Sequence, residues 1–168
     1  MTPLDLAPYG VAAVLFLLGG VLTDNGPWFA SLKKPPWRPP PWVFAPAWAV
    51  ILGCAALAAA KVVADRGFGP LGPFVLGLFG VNAALHAAWT PLFFRLRRPD
   101  WALIEMAMLW LSVAAIAGLL LQKSAALAAL MAPYGLWVSV ALALNWAIVR
   151  LNGPFGRARP EGPGPTPT

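Results

Sequence analysis

Residues 34–48 read KPPWRPPPWVFAPAW, setting six prolines and three tryptophans between two long apolar runs. A flexible linker would be polar, and a helix interior would not take so many prolines. Proline holds φ at about −65° and removes a backbone donor, so the segment predicts a stiff, extended, polyproline-like connection. Trp37, Trp42 and Trp48 add large rigid rings, each with one donor, suited to a site that is apolar with a polar rim. A stiff aromatic cover beside a membrane helix predicts a lid over a pocket for a flat apolar ligand. The same rings also suit an aromatic belt that only anchors helix ends at the bilayer surface.

On both sides of this segment the chain is apolar. Hydrophobic residues make up 60% of the 168 residues and charged residues 11%, with a mean hydropathy of +0.71. Soluble domains carry about 25% charged residues, so the composition excludes that class. The charges are clustered: 18 uncharged residues lie between Asp5 and Asp24, 28 between Arg66 and Arg95, and 26 between Lys123 and Arg150. Each run reaches the roughly 20 residues that cross a bilayer as a helix. The fold class predicted is an all-α membrane protein, a bundle of five transmembrane helices with a long proline- and tryptophan-rich loop between helices 1 and 2.

The spans are placed at about Leu6–Thr23, Phe44–Ala64, Leu71–Phe94, Trp101–Gln122 and Ala126–Arg150. Residues 1–152 then form one transmembrane domain, and the Gly/Pro-rich residues 153–168 a disordered tail. The first run has the acidic Asp5 where a signal peptide would be basic, and it reads as an uncleaved span. Cys54 stands alone, so no intrachain disulfide can form. Lys33, Lys34, Arg38, Arg95, Arg97, Arg98, Arg150, Arg157 and Arg159 fall on one side of the membrane, against Lys61, Arg66 and Lys123 on the other. This bias predicts that the proline-rich loop and the C-terminus face the cytoplasm. The net charge of +6 is dispersed over these loops, which points to lipid headgroups and not to nucleic acid.

Polar residues inside the spans mark candidate sites, because each is costly in lipid. Asn82, His86 and Trp89 share one stripe of the third span. Gly80, Ala84 and Ala88 form a small-residue stripe on roughly the opposite side, of the kind that lets two helices approach closely. One face then lines a ligand and the other meets a helix, either in a dimer or within the same bundle. Asn82 and His86 read equally as interhelical hydrogen-bond partners. Pro91 cannot donate to the carbonyl of Ala87 and predicts a bend beside Trp89. In the fifth span Tyr134, Trp137, Ala141 and Asn145 share a face, with Ala141 leaving room for a planar ligand. Phe44 and Trp48 stand one turn apart where the second span leaves the lid.

Glu105 is the acid deep enough to matter; it either pairs with a loop arginine such as Arg98 or acts as a proton-linked site. His86 without Cys or a carboxylate cluster does not make a closed metal site. Axial ligation of haem iron is the metal role left open to it. The chain shows no nucleophile–base arrangement, phosphate loop or catalytic carboxylate pair, so no catalytic residues are assigned and no resident cofactor is required.

Together these motifs resemble the translocator protein family, also called the tryptophan-rich sensory protein or peripheral benzodiazepine receptor family. The resemblance is carried by Trp28 and Leu32 followed by KPPWRPP, then VFAPAWAVILG, HAAWTPLFF, WALIE and APYGLWVSVALALNWAIVRLN, in order over nearly all of residues 5–152. It implies a five-helix bundle, usually a homodimer, with a pocket beneath the first loop that binds protoporphyrin IX, haem or related tetrapyrroles. The family's two pocket tryptophans fall on Trp48 and Trp137, and the small residue four positions after the second falls on Ala141. Its asparagine in the third helix falls on His86, a departure that brings an ionisable ring. The family's sterol motif needs a tyrosine before Arg150; Leu144, Trp146 and Arg150 stand here without it, which argues against a sterol partner. The resemblance implies porphyrin transport, sensing or buffering. A light-dependent porphyrin-degrading enzyme is an alternative, and a small multidrug exporter a weaker one, since the first span holds no buried acid.

Overall fold

The computed structural model describes residues 3–64 and 66–156. Five long helices form the bundle: α1 (Pro3–Leu22), α3 (Pro41–Ala64), α4 (Gly72–Thr90), α5 (Pro99–Leu121) and α7 (Ala132–Asn152). Two five-residue helices, α2 (Pro27–Ser31) and α6 (Ala125–Ala129), sit in the connections. All five long helices are apolar and long enough to cross a membrane. Proline stands in the first turn of α3, α4, α5 and α7. There its fixed φ suits the helix and its missing N–H would have had no intrahelical partner.

Two local expectations are corrected, and the disturbance expected at Pro91 takes a specific form. The extended segment does not run to Trp48: it ends at Pro40, and Pro41–Trp48 forms the first two turns of α3. Between Leu32 and Pro40 the chain makes a tight turn, with Arg38 N–H donating to Pro35 O at 3.2 Å. The fifth span is not continuous. Pro133 lacks the N–H that would bond Ala129, and a short turn at Leu130–Met131 separates α6 from α7. At Pro91 the chain widens into a π-helical turn, Pro91–Arg95, where Leu96 N–H donates to Pro91 O at 2.9 Å. Such a turn advances less than 100° per residue, so consecutive Phe93 and Phe94 both turn inward and are buried.

The connection from α3 to α4 is a 3₁₀ turn, Arg66–Leu71, in which Gly69 adopts φ 49°. A side chain would be strained there. The main core lies where α3, α4, α5 and α7 meet, around Ile51, Val75, Leu109, Ile116, Tyr134 and Val138. A second core of Leu32, Phe93, Phe94, Ala102, Leu144 and Ile148 lies at the loop end. Outward faces carry bare aliphatics, with Val21 78% exposed. That is the inverse of a water-facing surface and matches a hydrocarbon solvent. The predicted disordered tail falls largely on residues 157–168, outside the described residues; within 153–156, Phe155 packs on the second core.

Candidate functional site

A cavity of about 380 Å³ opens among α1, α3, α4, α5 and α7 on the side of the bundle that carries the first loop. This lies within the roughly 300–1,000 Å³ range of small-molecule sites. Phe44 and Trp48 reach it from successive turns of α3, His86 and Trp89 from the last turns of α4, and Ala141 and Asn145 from one stripe of α7. Helical spacing thus brings six of the residues expected from sequence to one cavity.

Trp48 is the centre of the aromatic packing. Its ring meets His86 edge-on, centroids 4.6 Å apart, with Tyr134 at 6.1 Å and Trp137 at 6.5 Å. Phe44 meets Trp137 at 5.3 Å. Such edge contacts stabilise by about 0.5–1.5 kcal/mol each beyond the area they bury, and they fix ring orientation. The Tyr134 hydroxyl hydrogen-bonds His86 Nδ1 at 3.2 Å. Tyr134 and Trp137 do not line the cavity; they hold the rings that do. Asn82 is also off the wall: its Nδ2 donates to Ser112 Oγ at 2.8 Å, and Ser112 Oγ donates to Leu109 O. That is the interhelical role, not the ligand-lining one.

The loop closes the cavity differently from the predicted tryptophan lid. Trp37 is 53% exposed and absent from the wall, and Trp42 also faces outward. Phe29 and Arg38 line it instead, with the Arg38 guanidinium 5.7 Å from the Phe29 ring centre. Lys34 Nζ caps the C-terminal end of α2, donating to Leu32 O at 2.9 Å and to Phe29 O. Desolvation, and then the charge of Arg38, lower the Lys34 ammonium from its usual pKa. Asn152, the last residue of α7, holds the loop at both backbone groups of Lys33: Lys33 N–H donates to Asn152 Oδ1 at 2.7 Å, and Asn152 Nδ2 donates to Lys33 O at 2.8 Å.

Sequence reasoning missed the contribution of α1. Phe16, Gly19, Gly20 and Thr23 form one wall, and a Cβ at either glycine would meet nothing within 4 Å. The Gly-Gly pair near the end of a hydrophobic run was the available signal. Glu105 does not pair with Arg98, which is bidentate to Asp100 at 2.8 and 2.5 Å. Both carboxylate oxygens of Glu105 are buried without a partner among the described residues. On the far side of α4, Gly80 and Ala84 are exposed and Ala88 is half-buried, so the small-residue stripe faces out of the bundle along most of its length.

Comparison with known proteins bears on this arrangement. The model of the TspO/MBR family matches residues 8–151. The chain is 36% identical to Protein CrtK of Rhodobacter capsulatus, over 87% of this chain and 91% of that one. It is 35% identical to the tryptophan-rich sensory protein of Cereibacter sphaeroides, over 79% and 82%. It is 34% identical to the translocator protein of Homo sapiens, over 80% and 81%.

Proposed function

The chain belongs to the TspO/MBR family of integral membrane proteins, and we propose that its cavity binds a tetrapyrrole, protoporphyrin IX or haem, in porphyrin transport, sensing or buffering. The observation that carries this reading is the wall of Phe44, Trp48, His86 and Trp89 around a cavity roofed by the first loop. Flat apolar rings gain most from such a slot, because π faces and edges are presented in fixed geometry. Arg38 at the roof offers a cation to a ligand carboxylate. His86 Nδ1 is engaged by Tyr134, which leaves Nε2 as the nitrogen that could meet haem iron. The ligand is taken from the cytoplasmic side, where the loop and C-terminus lie, and the protein works as a homodimer through the outward stripe of α4.

Titration with protoporphyrin IX tests this directly. Tryptophan emission is expected to quench and saturate, and Trp48→Ala with Trp137→Ala to weaken binding at least tenfold. Equal quenching curves for the double variant and the wild type would remove the assignment.

A further inference from the structure

Two residues that line the cavity carry buried polar groups with no hydrogen-bond partner among the described residues. Asn145 is 2% exposed, and neither its Nδ2 nor its Oδ1 has a hydrogen-bond partner among the described residues. The Trp89 indole N–H is likewise buried without a partner among the described residues. Both side chains line the same cavity. Other amides are bonded: buried Asn82 to Ser112, and half-buried Asn152 to both backbone groups of Lys33. Buried polar groups are nearly always paired, and leaving one unpaired in an apolar setting is costly. Asn145 therefore marks a place where the fold gives up stability at the wall of a binding cavity. Glu105 is also unpaired but does not line the cavity, so it is no part of this site.

An amide offers a donor and an acceptor side by side, and rotation about its terminal bond can present them in either order. Its complement is a planar group with the same pair reversed. We propose that Asn145, with the Trp89 N–H in the same cavity, forms a hydrogen-bonding subsite selecting planar ligands that carry an N–H or O–H donor next to a carbonyl. A lactam and a protonated carboxyl share this chemistry. The ligand donor meets Asn145 Oδ1, the ligand carbonyl accepts from Asn145 Nδ2, and the Trp89 N–H offers a further donor in the same cavity. The proposal rests on the cavity being the ligand site and names the polar group it recognises.

The test uses the full chain in detergent micelles and two planar probes, 2H-isoquinolin-1-one and its N-methyl analogue, which lacks the donor. The wild type is expected to prefer the N–H lactam at least tenfold. Asn145→Leu, which keeps the volume and removes the unpaired amide, should fold and reduce that preference to near one. Trp89→Phe should weaken both probes severalfold and leave their ratio unchanged. A wild type indifferent to the N-methyl group, or a preference that survives Asn145→Leu, overturns the proposal. Two tetrapyrroles then separate the sources of the pair. Biliverdin dimethyl ester keeps lactams without acids, and protoporphyrin IX has acids without lactams. Loss of affinity in Asn145→Leu for the first supports a lactam, and for the second an acid; loss for neither overturns the subsite as part of tetrapyrrole recognition. A wild type that binds neither tetrapyrrole but keeps the lactam preference rejects the tetrapyrrole reading and supports the subsite.

Discussion

Glu105 shows how the price of a buried group separates structure from function at the level of one residue. A buried carboxyl with neither oxygen bonded among the described residues costs on the order of 1–3 kcal/mol, the penalty for an unpaired polar group in an apolar setting. Glu105→Gln keeps the shape and removes the ionisable group. Its melting temperature in detergent is expected to equal or exceed that of the wild type; a fall of more than about 5 °C would show that the carboxyl holds the fold. The Arg98 partnership expected from sequence failed because Asp100, two residues away, reaches the same guanidinium with both oxygens. Proximity in the chain was the better guide. His86 was legible as an interior residue, yet its bond to Tyr134 was not, because the two lie 48 positions apart and no local rule sets their register.

Among the elements, those set by hydrophobic length were readable, and those set by single prolines were readable only as disturbances. All five spans appear within a few residues of where charge-free runs placed them. The prolines were seen, but their outcomes differ: Pro41 starts a helix, Pro91 precedes a π turn, and Pro133 divides a span. Which outcome wins depends on whether neighbouring helices satisfy the freed carbonyls, and that is a tertiary property. The loop shows the same limit. Its stiffness was legible, whereas its fastening by one side chain of α7 was not. Two hydrogen bonds between Asn152 and Lys33, one donated by each, contribute about 0.5–1.5 kcal/mol apiece and hold the roof of the cavity to the end of the bundle. Asn152→Ala is therefore expected to release bound protoporphyrin several times faster in stopped-flow dilution, with little change in α-helical circular dichroism. An unchanged dissociation rate would mean that the loop does not gate the cavity.

For the whole molecule, the bundle presents two unlike surfaces. The inward one packs aromatic rings around a cavity; the outward one carries exposed aliphatic and aromatic side chains, with a smooth strip on α4. Lipid is as apolar as leucine, so helix association there rests on close approach of small residues and not on the hydrophobic effect. A Cβ at Gly80 would meet nothing within 4 Å of its own chain. Gly80→Leu should thus leave the protomer folded while converting the proposed dimer to monomer in light scattering; a dimer that persists would place the contact elsewhere. The central claim is that the rings of α3 and α4, facing the small-residue stripe of α7, enclose a slot for a flat ligand, and filling that slot tests it most directly. Ala141 lines the cavity on α7, one turn from Trp137. In Ala141→Phe, titrated with protoporphyrin IX, the account expects an equal or higher melting temperature and affinity lowered at least tenfold. Unaltered affinity in a folded Ala141→Phe protein would contradict it.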